Sequence, residues 1–168
     1  MKLILIFLSL WSSVAAETDV YLAGPLFTMA ERQFNAELAG KLRELGISVF
    51  LPQEEEAREF TAECIFAQDV EGINGAKRVV AIMDGPDPDS GTAWECGYAY
   101  GKGKPVIVVR TDFRSMNEGL APYNLMLWMS AKERVQISSL KCGLAKLAEE
   151  IYSAIARVDG ADGKKVCN

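Results

Sequence analysis

Short apolar segments alternate along this chain with segments in which apolar residues recur every three or four positions. The first pattern predicts buried strands, and the second predicts helices with one apolar face. We expect strands at residues 19–23, 47–51, 77–83 and 106–110, and helices at 28–45, 57–74, 92–100 and 140–155. This alternation predicts an α/β fold with a mostly parallel central sheet. Such sheets bind ligands at the carboxyl ends of their strands, here residues 24–27, 53–56, 84–92 and from 111 onward.

The first sixteen residues have the layout of a secretory signal peptide. Lys2 precedes an apolar run from Leu3 to Trp11, and the small residues Val14 and Ala16 define a plausible cleavage point. The alternative is a buried strand or a short helix of the domain. With the signal peptide the protein is exported, periplasmic or secreted, and free of the membrane after cleavage; without it the protein is cytoplasmic. We therefore expect a signal peptide at 1–16, one domain at 17–156 and a polar C-terminal tail at 157–168.

The chain of 168 residues contains no histidine, which excludes several classes of active site. No Ser-His-Asp or Cys-His nucleophile can form, and no metal can be bound through histidine. Acid–base chemistry must therefore use tyrosine, cysteine, lysine or the 23 aspartates and glutamates. The net charge of −5 argues against a nucleic-acid partner, which requires clustered basic side chains. Zinc-site spacing is absent among the four cysteines, whose disulfide pairing stays open: Cys64, Cys96, Cys142 and Cys167.

The stretch DGPDPDSGTAWECGYAYG at residues 84–101 contains the candidate catalytic groups. Asp89 lies in an acidic loop after the third predicted strand, and Glu95 falls about one turn into the next helix, where the helix dipole favours an ionised carboxylate. Two carboxylates in different surroundings can divide the roles of nucleophile and general acid. Tyr21, on the first strand, can hydrogen-bond such a carboxylate. The plainer alternatives are a solvated turn, a capping aspartate, an exposed glutamate and a core tyrosine.

Four segments together resemble the nucleoside 2-deoxyribosyltransferase family: VYLAGPLF, QDVEGINGAKRVVAIMDG, DSGTAWECGYAYGKGKPV and YNLM. The spacing Asp-x-Gly-x-x-x-Glu-x-Gly-Tyr-Ala is more specific than a lone glycine motif, and the resemblance covers roughly residues 20–129. It implies a flavodoxin-like, three-layer α/β fold. It also implies a homo-oligomer in which neighbouring subunits complete one another's active sites.

The resemblance implies roles for individual residues. Glu95 matches the family's nucleophile, and Tyr21 matches the tyrosine that hydrogen-bonds it. Asp69 and Asp89 match two aspartates at the nucleobase, one of which handles the leaving-group proton. The YNLM segment matches residues that a neighbouring subunit supplies near the 5′ side of the sugar. The catalytic residues so implied are Glu95, Asp89 and Tyr21, and the substrate-binding residues are Asp69, Asn124, Met126, Gly24 and Gln53.

The implied reaction moves a 2-deoxyribosyl group between nucleobases through a covalent glutamyl-deoxyribosyl intermediate, with retention at C1′. It requires no metal or cofactor, and its partners are 2′-deoxyribonucleosides and free nucleobases. One alternative is an N-glycosidase that hydrolyses deoxynucleosides or deoxynucleoside 5′-monophosphates. Asp89 and Asn124 favour a nucleoside, whereas Ser90 and Ser115 leave the nucleotide open. An alternative of another class is a non-catalytic module that binds a nucleoside or nucleotide.

Overall fold

A computed structural model of the protein describes residues 17–55, 60–114 and 121–162. Its elements, in chain order, are β1 (Thr18–Ala23), α1 (Met29–Glu44), β2 (Val49–Phe50), a 3₁₀ turn (Pro52–Glu54), α2 (Ala62–Gly75), β3 (Ala76–Ile82), α3 (Ser90–Gly101), β4 (Val106–Arg110), α4 (Leu125–Ser130), β5 (Glu133–Gln136) and α5 (Leu144–Asp162). The predicted signal peptide lies outside the described residues. Within them, no helix combines the length and the apolar character that crossing a membrane requires.

The five strands of the described chain form one sheet in which every neighbouring pair is parallel. The strand order is β2-β1-β3-β4-β5, the order of a doubly wound sheet whose direction of winding reverses beside β1. Val20 of β1, for example, lies between Val49 of β2 and Arg78 of β3. The predicted α/β fold with a parallel central sheet is confirmed.

Helices cover both faces of the sheet, because successive side chains of a strand point to opposite sides. Val20 and Leu22 belong to the core cluster that includes buried residues of α1 and α5. Tyr21 and Ala23 belong to the second cluster, which includes buried residues of α2, α3 and α4. Tyr21 therefore faces the layer that carries the predicted site residues of α2 and α3.

Two short elements, α4 and β5, are not predicted from the sequence. Helix α4 has six residues, LMLWMS, and strand β5 has four, ERVQ. Neither is long enough to display the periodicity of its structure. Both elements depend on contacts with each other. Arg134 of β5 donates from Nε to the Trp128 carbonyl of α4 at 2.9 Å, and its guanidinium lies 4.9 Å from the Trp128 ring centre.

Helix α5 runs from Leu144 to Asp162, so the helix predicted at 140–155 is wrong at both ends. Val158 is buried in the core, and the Asp159 carboxylate lies 2.6 Å from Nη2 of Arg78. These contacts stabilise the helix beyond its predicted end. Residues 157–162 thus belong to α5 rather than to the predicted polar tail, whose remaining residues lie outside the described chain.

Candidate active site

Tyr21 of β1 and Glu95 of α3 form the centre of the candidate site. The Tyr21 hydroxyl donates a hydrogen bond to Oε1 of Glu95 at 2.6 Å. The tyrosine is fully buried, and Phe50 stacks on its ring at 5.4 Å between centroids. Burial, together with the charge of Glu95, raises the pKa of Tyr21, so its hydroxyl stays protonated and remains a donor. The orientation of the glutamate is therefore set by a side chain that is itself held firmly.

The charge state of Glu95 differs from the ionised state that its place in the helix predicts. Burial raises the pKa of Glu95 to about 7, the charges of Asp69 and Asp89 add to this rise, and the Tyr21 hydrogen bond opposes it. Helix α3 begins at Ser90, so Glu95 lies beyond the first turn, where the helix dipole has little effect. The expectation that the dipole keeps Glu95 ionised is therefore wrong, because burial dominates. Near neutral pH this carboxyl group exists in both protonation states.

Asp69 of α2 belongs to the same group of side chains. Its charge raises the pKa values of both Glu95 and Tyr21, so Asp69 interacts electrostatically with that pair. Asp69 is half-buried, and burial raises its own pKa. A carboxyl group with a raised pKa suits the transfer of a proton near neutral pH.

Asp89 caps the N-terminus of α3. Its Oδ2 accepts hydrogen bonds from the Thr92 N–H at 2.8 Å and from the Thr92 hydroxyl at 3.1 Å. The capping alternative from the sequence is thus realised in the structure. It does not remove Asp89 from the site, because the charge of Asp89 contributes to the raised pKa of Glu95. The cap holds Oδ2, which leaves Oδ1 as the oxygen that can face a ligand.

Gly24 and Gln53 meet around Asn35 of α1, a buried polar residue that the sequence analysis missed. Asn35 Nδ2 donates to the Pro25 carbonyl at 2.9 Å and to Gln53 Oε1 at 3.4 Å. A Cβ on Gly24 would lie 3.5 Å from Asn35 Oδ1. Gln53 Nε2 in turn donates to the Arg32 carbonyl at 2.7 Å. The missed signal is a polar residue on the apolar face of the first predicted helix.

Asn124 and Met126 lie at the start of α4, where Asn124 Oδ1 accepts from the Met126 N–H at 3.0 Å and caps the helix. Both residues are exposed, Met126 to 76%. They line a groove of about 410 Å³ between α3 and α4, whose walls do not include Glu95. We call this the α3–α4 groove; its walls include Ala93, Gly97, Tyr100, Asn124, Met126 and Met129. Within one chain, Asn124 and Met126 therefore share this groove with Ala93 and Gly97 of α3 and not with Glu95.

The arrangement provides an oriented carboxylate beside a second carboxyl group, and both pKa values are raised by burial. One group can attack an electrophilic carbon while the other supplies a proton. In the described part of the chain, no three acidic or cysteine side chains cluster in a way that could hold a metal ion. Fold and site together define a doubly wound α/β protein whose candidate site contains two carboxyl groups with raised pKa values.

The sequence matches the nucleoside 2-deoxyribosyltransferase family over residues 20–149. The chain belongs to this family, and its fold is the flavodoxin-like one that the resemblance implied. A search among curated proteins gave no match.

Solved structures agree with this assignment. A conserved protein from Enterococcus faecalis V583 is 30% identical with a TM-score of 0.65, over 84% of this chain and 99% of that one. The 2-deoxyribosyltransferase of Bacillus psychrosaccharolyticus is 30% identical with a TM-score of 0.59, over 77% and 95%. A CMP N-glycosidase of Clostridium botulinum is 18% identical with a TM-score of 0.55, over 80% and 98%, and supports the fold alone.

Proposed function

We propose that the protein transfers a 2-deoxyribosyl group from one nucleobase to another through an ester on Glu95. The observation that carries this proposal is the 2.6 Å hydrogen bond from the buried Tyr21 hydroxyl to Glu95. Because Tyr21 holds Oε1, we expect the other oxygen, Oε2, to attack C1′ of the nucleoside. The named activity of the Bacillus relative supports the same reaction.

The reaction proceeds in two displacements. In the first, Oε2 of Glu95 forms a bond to C1′ while the C1′–N bond breaks, and the base leaves with the electron pair and accepts a proton. In the second, another base attacks C1′, the ester bond breaks, and Glu95 regains its carboxylate. The incoming base returns its proton to the acid. Two inversions at C1′ give net retention.

Of the two aspartates assigned to the nucleobase, Asp69 takes the role of general acid. Burial raises its pKa, so a protonated fraction persists closer to neutral pH than for a free aspartate. Asp89 is bound through Oδ2 to the start of α3, and in this proposal its Oδ1 accepts a hydrogen bond from the base. Asp69 thus manages the leaving-group proton, while Asp89 orients the ring.

A second copy of the chain supplies Asn124 and Met126 to the site. Two observations support this part of the proposal: both residues are exposed on α4, and they line the α3–α4 groove rather than the surroundings of Glu95. The same face exposes apolar side chains that favour association, among them Met129 at 64% and Tyr100 at 63%. The active form is therefore a homo-oligomer with shared sites.

Incubation with deoxyinosine and adenine, followed by chromatography, tests the reaction. The proposal predicts deoxyadenosine and hypoxanthine from the wild-type protein, and neither product from Glu95→Gln. Free deoxyribose without exchange would indicate an N-glycosidase instead, and binding without turnover would indicate a binding module. Full exchange by the Glu95→Gln protein would refute Glu95 as the nucleophile.

Export is a separate part of the proposal, based on the charge and apolar pattern of residues 1–16. It places the substrate, deoxynucleosides, outside the cytoplasmic membrane. N-terminal sequencing of the protein from its native host should begin at Glu17. Protein that retains residues 1–16 would refute export.

A further inference from the structure

Hydrogen bonds join the carboxyl ends of β3 and β4 at a cluster separate from the catalytic groups. Asp84 follows β3 closely, and its Oδ1 accepts from the N–H groups of Thr111 at 2.6 Å and Asp112 at 2.9 Å. Its Oδ2 accepts from the Thr111 hydroxyl at 2.5 Å. Both oxygens of one carboxylate therefore bind the segment that follows β4.

A second carboxylate makes the reciprocal contact. Asp112 accepts from the Gly85 N–H through Oδ2 at 3.0 Å. The buried Arg110 donates to the Gly85 carbonyl at 3.0 Å and to the carbonyl of Met83. Gly85 has a φ of 112°, a conformation that side chains other than glycine rarely adopt. The chain is thus held from Met83 to Gly85, at the beginning of the loop between β3 and α3.

This loop leads directly to Asp89 and, together with the capping bonds to Thr92, determines where the aspartate lies. Asp89 caps α3, the helix that carries Glu95, and the charge of Asp89 raises the pKa of Glu95. A loop of aspartate, glycine and proline would otherwise be a mobile solvated turn. Movement of the loop would change the distance between Asp89 and Glu95.

We propose that Asp84, Thr111 and Asp112 form a clamp whose function is positioning: it holds the loop from Gly85 to Pro88 so that Asp89 faces the nucleobase beside Glu95. This inference rests on the proposed function and adds positioning residues to it. The clamp residues themselves touch neither substrate nor the reacting atoms. They act through the loop.

Two clamp variants and one control test the proposal. Asp112→Ala removes the bond to Gly85 and also the ion pair with Arg114. Thr111→Val removes only the hydroxyl bond while it keeps the shape of the side chain. The control is Asp19→Asn, because Asp19 likewise binds Lys77 and Ser48 but lies at the amino end of β1. We expect kcat/KM for exchange to fall on the order of 100-fold in Asp112→Ala, less in Thr111→Val, and not in Asp19→Asn.

The pH profile separates positioning from a merely structural role. Among the described residues, the titratable groups that act on the pKa of Glu95 are Tyr21 of β1, Asp69 of α2 and Asp89 at the start of α3, and the charge of Glu95 in turn raises the pKa of the adjacent Cys96. When Asp89 moves away, the acid limb of kcat/KM shifts to lower pH. Folded clamp variants with wild-type activity, or with activity lowered equally at every pH, would overturn the proposal.

Hydrogen–deuterium exchange keeps this test distinct from the test of the reaction. The clamp predicts faster exchange of the amides from Gly85 to Thr92 in both clamp variants than in the wild type and Asp19→Asn. Unchanged amide exchange would overturn the clamp even if the enzyme transfers deoxyribose. A wild-type protein that neither transfers nor hydrolyses would instead overturn the proposed function, whatever the amides show.

Discussion

Among single residues, the charge of Glu95 links the proposed catalysis to the stability of the fold. Its pKa is about 7 in the folded protein, against 4.5 for the free group. Between these values the folded state binds more protons than the unfolded state, so the free energy of unfolding falls as pH rises through this window. The shift corresponds to at most about 3–4 kcal/mol, at about 1.4 kcal/mol per pKa unit.

Glu95→Gln removes this titration and keeps an oxygen that can accept from Tyr21. We expect the variant to melt at a higher temperature than the wild type at about pH 8, where the buried charge is fully formed, and to lose the difference at about pH 4. Calorimetry at the two pH values measures this. Equal melting temperatures at the higher pH would contradict the burial of Glu95.

Tyr21→Phe removes the donor that stabilises the ionised form of Glu95. The pKa of Glu95 should then rise further, and the acid limb of kcat/KM should move to higher pH by about one unit, as expected for the loss of a hydrogen bond to a charge. The matched control is Tyr98→Phe, since the Tyr98 hydroxyl binds Asn74 at the exposed surface. An acid limb that stays in place in Tyr21→Phe would show that the hydrogen bond does not tune Glu95.

The sequence predicts many of the residues that meet at the candidate site, but it does not predict their protonation states. The strand alternation places Tyr21 on one face of the sheet, and the spacing from Asp89 to Glu95 is visible in the sequence. The raised pKa of Glu95 depends on burial by β1 and α2, which are distant in the chain, and no local pattern contains this information. The hydrogen bonds from Asn35 to Pro25 and Gln53 likewise form only when α1 packs against the ends of the strands.

Among the helices and strands, α2 packs closely against β2 and so fixes the ring that stacks on Tyr21. A Cβ on Gly72 of α2 would lie 2.5 Å from Cε1 of Phe50, the ring that stacks on Tyr21. We expect Gly72→Ala to destabilise the protein by about 1–3 kcal/mol and to lower exchange activity, because Phe50 must move. Gly40→Ala in α1 is the control: its Cβ meets nothing within 4 Å, and helix propensity predicts a gain of up to about 1 kcal/mol.

Urea unfolding of the two glycine variants measures these effects. Destabilisation of equal size in both variants would contradict the contact between α2 and Phe50.

The strands and the longer helices were predictable because their apolar periodicity extends over several repeats. Helix α4 and strand β5 were not, since six and four residues show no period and depend on the contact between Arg134 and Trp128.

For the whole molecule, the proposed shared active site requires a second chain. Glu95 and Asn124 should serve one site from different subunits, so Glu95→Gln and Asn124→Ala should complement each other. We expect the two inactive or weakened proteins, refolded together, to recover exchange activity that neither has alone. Glu95→Gln mixed with Asp69→Asn is the control, because both changes damage groups of one chain's site. Absence of recovery in the first mixture would contradict shared sites.

The central claim is that Glu95 carries the sugar between two bases. Mass spectrometry of the wild-type protein, quenched in acid during turnover of deoxyinosine and digested, tests it most directly. The proposed reaction predicts a peptide containing Glu95 that is heavier by one deoxyribosyl group, and less of it when adenine is added before the quench. A deoxyribosyl group on another residue, or exchange at full rate without any such peptide, would contradict it.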